Sequence, residues 1–276
     1  MADSMNDQKR DNLLNLSLEA TRREREKSMN LNVGYQEDTG LWDVIVKYSG
    51  DESGLAGPGI TAVPLLGGYA IVTLPREALD EYTNRSQIIF VEKPKRLYFE
   101  ILQAKGASCI LAIQREQNLS GRDIIVGMVD SGVDWRHSAF WNPDGSSRIL
   151  RLWDQSIPGN PPEGYALGTE YTKEELDEAL KLPLPESSRM IPSVDFSGHG
   201  TAVLGIAAGS GSNGGIAYES DLMVVKMGNA RPGSFPRTTE LMMGVDYLVR
   251  QAIRLNRPLA LNLSFGNNYG SHEPYN

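Results

Sequence analysis

An unbroken apolar run from Ile124 to Val129 ends in Asp130-Ser131-Gly132, and this segment narrows the possible folds more than any other. A strand with no polar alternation must be buried on both faces, as inside a parallel sheet covered by helices. Gly132 supplies the turn that ends it. Asp130 is therefore expected at the carboxyl edge of the sheet, where open α/β proteins place their chemistry. The segments downstream agree. Ala202 to Ala208 reads as a helix packed by small side chains, and Leu222 to Met227 as a second buried strand. Thr239 to Asn256 carries Leu241, Met242, Val245, Leu248, Val249 and Ile253 at helical spacing, with Thr238 or Thr239 as cap. Pro258 to Phe265 reads as a further strand. Strand, helix, strand, helix, strand is the alternation of a parallel α/β domain.

The preceding sequence has a different texture. Strands are expected over 42–48, 60–66 and 69–74 around Gly67-Gly68, a short helix over 76–84 and another strand over 88–91. A basic run, Lys93-Pro94-Lys95-Arg96, precedes an extended apolar stretch at 97–102, and residues 103–120 read as a linker. The chain thus divides into a charged arm at 1–35, a small α+β domain at 36–108 and the α/β domain at 109–276. The arm, with Arg22 to Lys27 after a short leucine patch, suits a solvated helix or a mobile tail. Between Trp135 and Val194 lies a stretch punctuated by Pro158, Pro161, Pro162 and Gly164, read as surface decoration near the site. It contains one expected helix, 172–180, whose Glu174, Glu175 and Asp177 suit a helix N-terminus.

A chain of 276 residues with 40% hydrophobic content can bury a substantial core. Its net charge of -8 argues against nucleic acid and anionic membranes as partners, because phosphates would be repelled. The one cysteine, Cys109, excludes a disulfide framework within the chain and a thiolate metal cluster. No apolar segment resembles a secretion signal, and no run of about 18 apolar residues suggests a membrane span. A cytoplasmic location follows as the expectation, with release from the cell also open.

The chemistry centres on two residues. A buried carboxylate at position 130 can accept a hydrogen bond from an imidazole, fixing its tautomer and stabilising the imidazolium. In Gly198-His199-Gly200-Thr201, glycines on both sides allow close backbone approach, and a helix starting there would hold the ring. Taken singly, Asp130 could cap a turn and His199 a helix. Together, in this order and each at an element terminus, they form half of a charge-oriented serine nucleophile system. The nucleophile is missing: no serine after His199 follows Gly-Thr or opens a helix.

The motifs Val126-Gly127-Met128-Val129-Asp130-Ser131-Gly132, Gly198-His199-Gly200-Thr201-Ala202-Val203, Gly215-Ile216-Ala217 with Met223-Val224-Val225-Lys226, and Leu261-Asn262-Leu263-Ser264-Phe265-Gly266 resemble the amino-terminal part of the subtilisin-like serine proteases, the subtilase family. The resemblance implies a parallel-sheet catalytic domain, incomplete at its carboxyl end. Asp130 would orient His199, and His199 would act as general base and then acid. Ser264, Phe265 and Gly266 would pair with a peptide substrate, and Gly233 would lie on the opposite substrate edge. It also implies that the α+β domain is a propeptide, serving as intramolecular chaperone and inhibitor, with processing expected between Gln103 and Cys109. The basic run and the absent signal peptide are similar to the clostridial Csp-type germination proteases, whose propeptide remains bound.

Departures from the family matter too. Its main calcium site takes a carboxylate nine residues after the catalytic acid, which is Ala139 here, and Gly209 to Gly215 offers glycine and serine. No calcium is expected there and no cofactor elsewhere. Position 202, a second histidine in the family, is alanine, which removes no catalytic group. The leading expectation is a serine endopeptidase whose serine and oxyanion asparagine come from a carboxyl-terminal fragment or a second chain. The alternative is a noncatalytic module that binds peptides or a partner protease. The glycine-rich run 209–215 lacks the lysine of a phosphate loop. His137 and His272 read as loop residues, Cys109 as a small buried one, and Trp135, Trp141 and Trp153 as packing residues.

Overall fold

The computed structural model describes residues 9–99, 119–211, 214–228 and 236–266. Two units make up the chain: one comprises residues up to Leu97 with Arg237–Met242, the other Tyr98–Pro236 and Met243–Gly266.

The first unit contains α1 (Asn12–Glu19), α2 (Arg22–Lys27), α3 (Met29–Asn32), β1 (Tyr35–Gln36), β2 (Leu41–Tyr48), β3 (Thr61–Leu65), β4 (Tyr69–Pro75), α4 (Leu79–Asn84) and β5 (Ile88–Glu92). The strands form one antiparallel sheet in the order β1-β2-β4-β3, with β5 also on β2. The turn between β3 and β4 requires positive φ at Gly67 and Gly68, 74° and 72°, which glycine adopts without a Cβ penalty. Trp42, Val44, Val46, Val72, Leu74 and Tyr82 fill the core.

Leu14 and Leu18 belong to that same core, which corrects the expectation of a solvated or mobile arm. The arm is charged overall, but Leu14 and Leu18, four residues apart in α1, share the face that also buries Ser17, while Leu16 stays exposed. Asp11 caps α1 through Leu13 N, and its own amide donates to Val91 O at 3.0 Å. Lys93, 2% exposed, donates to Ser17 Oγ at 2.6 Å and to the carbonyls of Asn30 and Leu31. Burial pushes this ammonium down to about 8, with Asp11 pulling the other way.

The second unit contains β6 (Tyr98–Phe99), β7 (Ile125–Asp130), β8 (Ile149–Asp154), β9 (Thr169–Thr172), α5 (Lys173–Leu180), α6 (Glu186–Met190), α7 (His199–Ala208), β10 (Asp221–Lys226), α8 (Thr238–Leu255, counted here from Met243), β11 (Leu259–Leu263) and β12 (Phe265–Gly266). The main sheet runs β11-β7-β10-β8-β9, parallel except for the edge strand β9. As the apolar run requires, β7 is an inner strand buried along its whole length.

Two expectations are revised. The stretch after Trp135 is not decoration throughout, because β8 is an inner strand with Leu152, Trp153 and Asp154 fully buried. A charged residue inside the strand hid it: Arg151 and Leu150 are only partly buried, whereas Ile149 and Leu152 to Asp154 are buried. The expected strand 258–265 breaks at Ser264, so that β11 belongs to the main sheet and β12 pairs with β6. In α5 the carboxylates divide as expected in part: Glu175 completes a capping box with Thr172, whereas Asp177 accepts from Ser147 N and from Lys173. The linker expected at 103–120, except its last two residues, the boundary at 108/109, the processing segment from Gln103 to Cys109, Gly233 and His272 lie outside the described residues.

Candidate active site

Strand β7 delivers Asp130 to the carboxyl edge of the sheet, between Lys226 at the end of β10 and Leu263 at the end of β11. The chain turns at Gly132, whose φ of 120° few side chains could adopt. Across this turn lies the start of α7. Gly200 packs so closely that a Cβ there would stand 2.1 Å from Gly132 O and 3.1 Å from Asp130 Oδ1. Glycine is therefore required at position 200 for space, whereas Gly198 is required for its left-handed φ of 71°, with open space around it. Two glycines that look equivalent in the sequence thus meet different needs.

That approach brings His199 Nδ1 to 2.7 Å from Asp130 Oδ1. Asp130 is fully buried and the imidazole is 11% exposed. The same Oδ1 accepts from Ser131 N at 2.7 Å, while Oδ2 has no hydrogen-bond partner among the described residues. Burial lifts the Asp130 pKa above the ordinary carboxylate range, and the hydrogen bonds from His199 and Ser131 offset this in part. With Asp130 ionised, Nδ1 carries the ring proton, and Nε2 is the nitrogen placed to exchange a proton with a hydroxyl.

A second carboxylate organises the same helix start, and sequence reasoning missed it. Asp195 Oδ1 accepts from Ser131 Oγ at 2.8 Å, Gly198 N at 3.0 Å and Ser197 Oγ at 3.2 Å. Its Oδ2 accepts from Thr201 N at 2.9 Å and Thr201 Oγ1 at 2.7 Å. Ser131 Oγ in turn accepts from Gly200 N at 3.0 Å, and Asp134 N donates to Thr201 Oγ1 at 2.8 Å. Asp195 thus satisfies free amides of the first turn of α7 and ties it to the segment after β7. An acid four residues before His199, just ahead of a helix start, was the available signal.

Of the segment Ser264 to Gly266, residues 265 and 266 form a short strand. Gly266 and Phe265 pair antiparallel with Tyr98 and Phe99, so the main-chain edge of β12 takes an added strand from this chain itself. Ser264 is buried and its hydroxyl accepts from Asn262 Nδ2 at 2.9 Å, which leaves its main chain as what it offers a peptide. Phe196, three residues before His199, is 90% exposed, with Lys226 Nζ 5.4 Å from its ring centroid. No cluster of three metal-ligating side chains occurs among the described residues.

A parallel α/β sheet that presents a buried acid and a helix-borne histidine at its carboxyl edge, in a chain with a separate antiparallel α+β unit, defines the class to which this protein belongs. Residues 121–274 match the model of the subtilase family, and residues 8–95 match that of the Csp protease B prodomain. The chain belongs to the subtilase family. It is 36% identical to the Clostridium perfringens CspB protease, whose structure it matches with a TM-score of 0.52 over 60% of this chain and 33% of that one. It is also similar to the subtilisin-like protease PopC of Myxococcus xanthus, 28% identical over 57% of this chain and 28% of the relative. The corresponding figures for the subtilisin-like protease SBT3.1 of Arabidopsis thaliana are 27%, 52% and 20%. The chain therefore spans between a fifth and a third of the length of these relatives. The match at 8–95 takes in the arm, in keeping with Leu14 and Leu18 in the core.

Proposed function

We propose that this chain is the propeptide and the acid/histidine portion of a serine endopeptidase that cleaves peptide bonds. The observation that carries this reading is the 2.7 Å contact between the buried Asp130 carboxylate and His199 Nδ1. In this reading Asp130 holds the Nδ1–H tautomer. His199 Nε2 removes the proton of a serine hydroxyl as it attacks the scissile carbonyl and then returns it to the leaving amine. The serine and its oxyanion partner are supplied by further sequence of the same protein or by a second chain. Ser131 and Ser197 are poor substitutes, since their hydroxyls are engaged with Asp195.

The main chain of Ser264, Phe265 and Gly266 would bind substrate by strand addition, with Gly233 on the facing edge. β6 lies in the 36–108 stretch read as propeptide, just beyond the residues that match the prodomain, and its pairing on β12 supports an inhibitory role because the same edge cannot pair with two strands at once. The test is fluorophosphonate labelling of the natural gene product purified from its source, with intact mass measured in parallel. Labelling at a serine, lost in Asp130→Asn and His199→Ala, is the expected result. A stable product that never labels would overturn the hydrolase reading and leave a peptide-binding module.

A further inference from the structure

Arg148 precedes β8 and is 3% exposed. Burial works against the charge of its guanidinium, so a carboxylate partner would be the ordinary solution. The contacts are of another kind. Nη1 donates to Ala208 O at 2.7 Å and Ala139 O at 3.3 Å, and Nε to Ser220 O at 3.0 Å. Nη2 donates to Ser220 O at 2.6 Å, Ala217 O at 3.3 Å and Ser220 Oγ at 3.4 Å. The acids flanking this site in sequence, Glu219 and Asp221, favour the Arg148 charge from nearby, but their direct contacts are with Arg122 at 2.9 Å and Arg257 at 2.5 Å.

These oxygens come from three separate places: the turn at Ser138–Phe140, the last residue of α7, and the segment leading into β10. Uncharged carbonyls converging from distant parts of the chain on one cation are the ligand type of a hard metal ion such as calcium. Calcium does not fit these residues. Ala139 contributes a carbonyl where a carboxylate would be needed, no acidic side chain enters the cage, and the positive charge is already covalently present.

We propose that Arg148 is a built-in structural cation that occupies a carbonyl cage of the metal-ion type, so that this part of the subtilase domain holds together without calcium. Ala208 O is a carbonyl at the carboxyl end of α7, so the guanidinium also caps the helix that begins with His199 and sits at the negative end of its dipole. Both ends of that helix are then fixed by side chains, Asp195 at the first turn and Arg148 at the last.

The test is thermal melting of the full chain in excess EDTA and in millimolar calcium, for the wild type and for variants at position 148. The wild-type midpoint is expected to agree in the two conditions to within about 1 °C. Arg148→Ala is expected to melt about 10 °C lower. Part of that loss should return with millimolar methylguanidinium and not with sodium chloride of equal ionic strength. Arg148→Lys, which keeps the charge with fewer donors, should fall between. A wild-type midpoint that rises by several degrees with calcium, an Arg148→Ala protein that methylguanidinium does not stabilise, or an Arg148→Met protein as stable as the wild type would each overturn the proposal. If Arg148→Ala does not fold, the calcium series on the wild type and the Arg148→Lys midpoint decide it.

Discussion

Asp130 and Asp195 flank the same helix start, and their surroundings are opposites. Asp130 is fully buried, with one oxygen shared by His199 and Ser131 and the other without a partner among the described residues, and burial lifts its pKa. Asp195 is half-buried. Burial raises it too, but donors from Thr201, Ser131, Ser197 and Gly198 outweigh that effect and hold it below the usual carboxylate range. The first carboxylate is kept in a setting that opposes its charge, the condition under which a carboxylate interacts most strongly with an imidazolium. The second is saturated with donors and fixes geometry. The site thus separates the carboxylate that bonds the histidine from the carboxylate that holds the helix start.

Four substitutions break or sharpen that contrast. The largest effect is expected from Asp130→Asn, which should lower kcat of the assembled protease by about 10⁴-fold, as loss of the orienting acid does elsewhere. Its melting temperature at pH 7 should stay level or rise, since an acid with a raised folded pKa favours the folded state below about pH 4 and loses that favour as pH rises through its folded value. A large fall in stability at neutral pH would break the comparison. Gly200→Ala should destabilise by about 3 kcal/mol or more in denaturant melts, because the new Cβ meets the Gly132 carbonyl rather than a movable side chain.

Asp195→Ala should destabilise by about 2–4 kcal/mol, through amides and hydroxyls left without an acceptor. The pH sign is the reverse of Asp130: the contribution of Asp195 is present above about pH 4 and lost as pH falls through its depressed folded pKa. Melting curves of wild type and variant should therefore converge in acid. The smallest effect concerns a buried cation in the first unit. Lys93 has a folded pKa of about 8, so this group adds stability as pH rises from about 8 towards its unfolded value near 10.4. Lys93→Met should flatten that rise in pH-dependent melts, and an unchanged rise would assign it to other groups.

Much of the site could be read in the sequence because its signals are local. The apolar run to Val129 placed Asp130 correctly, and Gly198-His199-Gly200 marked a helix start held close to another backbone. Asp195 and Arg148 escaped because their roles are made by convergence: their partners lie at 131, 198 and 201 in one case and at 139, 208, 217 and 220 in the other. The antiparallel strands of the first unit were legible from β-branched runs and Gly67-Gly68. β8 was not, since partly exposed Arg151 and a proline-rich neighbourhood masked a buried strand.

The bond from Asp11 N to Val91 O and the bridge between Arg10 and Val91 have a consequence for how the polypeptide is made. Helix α1 leaves the ribosome before any strand that will cover it. At about 5–20 residues per second, Val91 follows several seconds later. Until then the backbone bond that ties the start of α1 to the sheet cannot form, so the first unit cannot complete its closure from its beginning. It must wait for its last strand, which makes the interval between the synthesis of α1 and β5 the period in which a chaperone, a protease or a neighbouring nascent chain has access to α1.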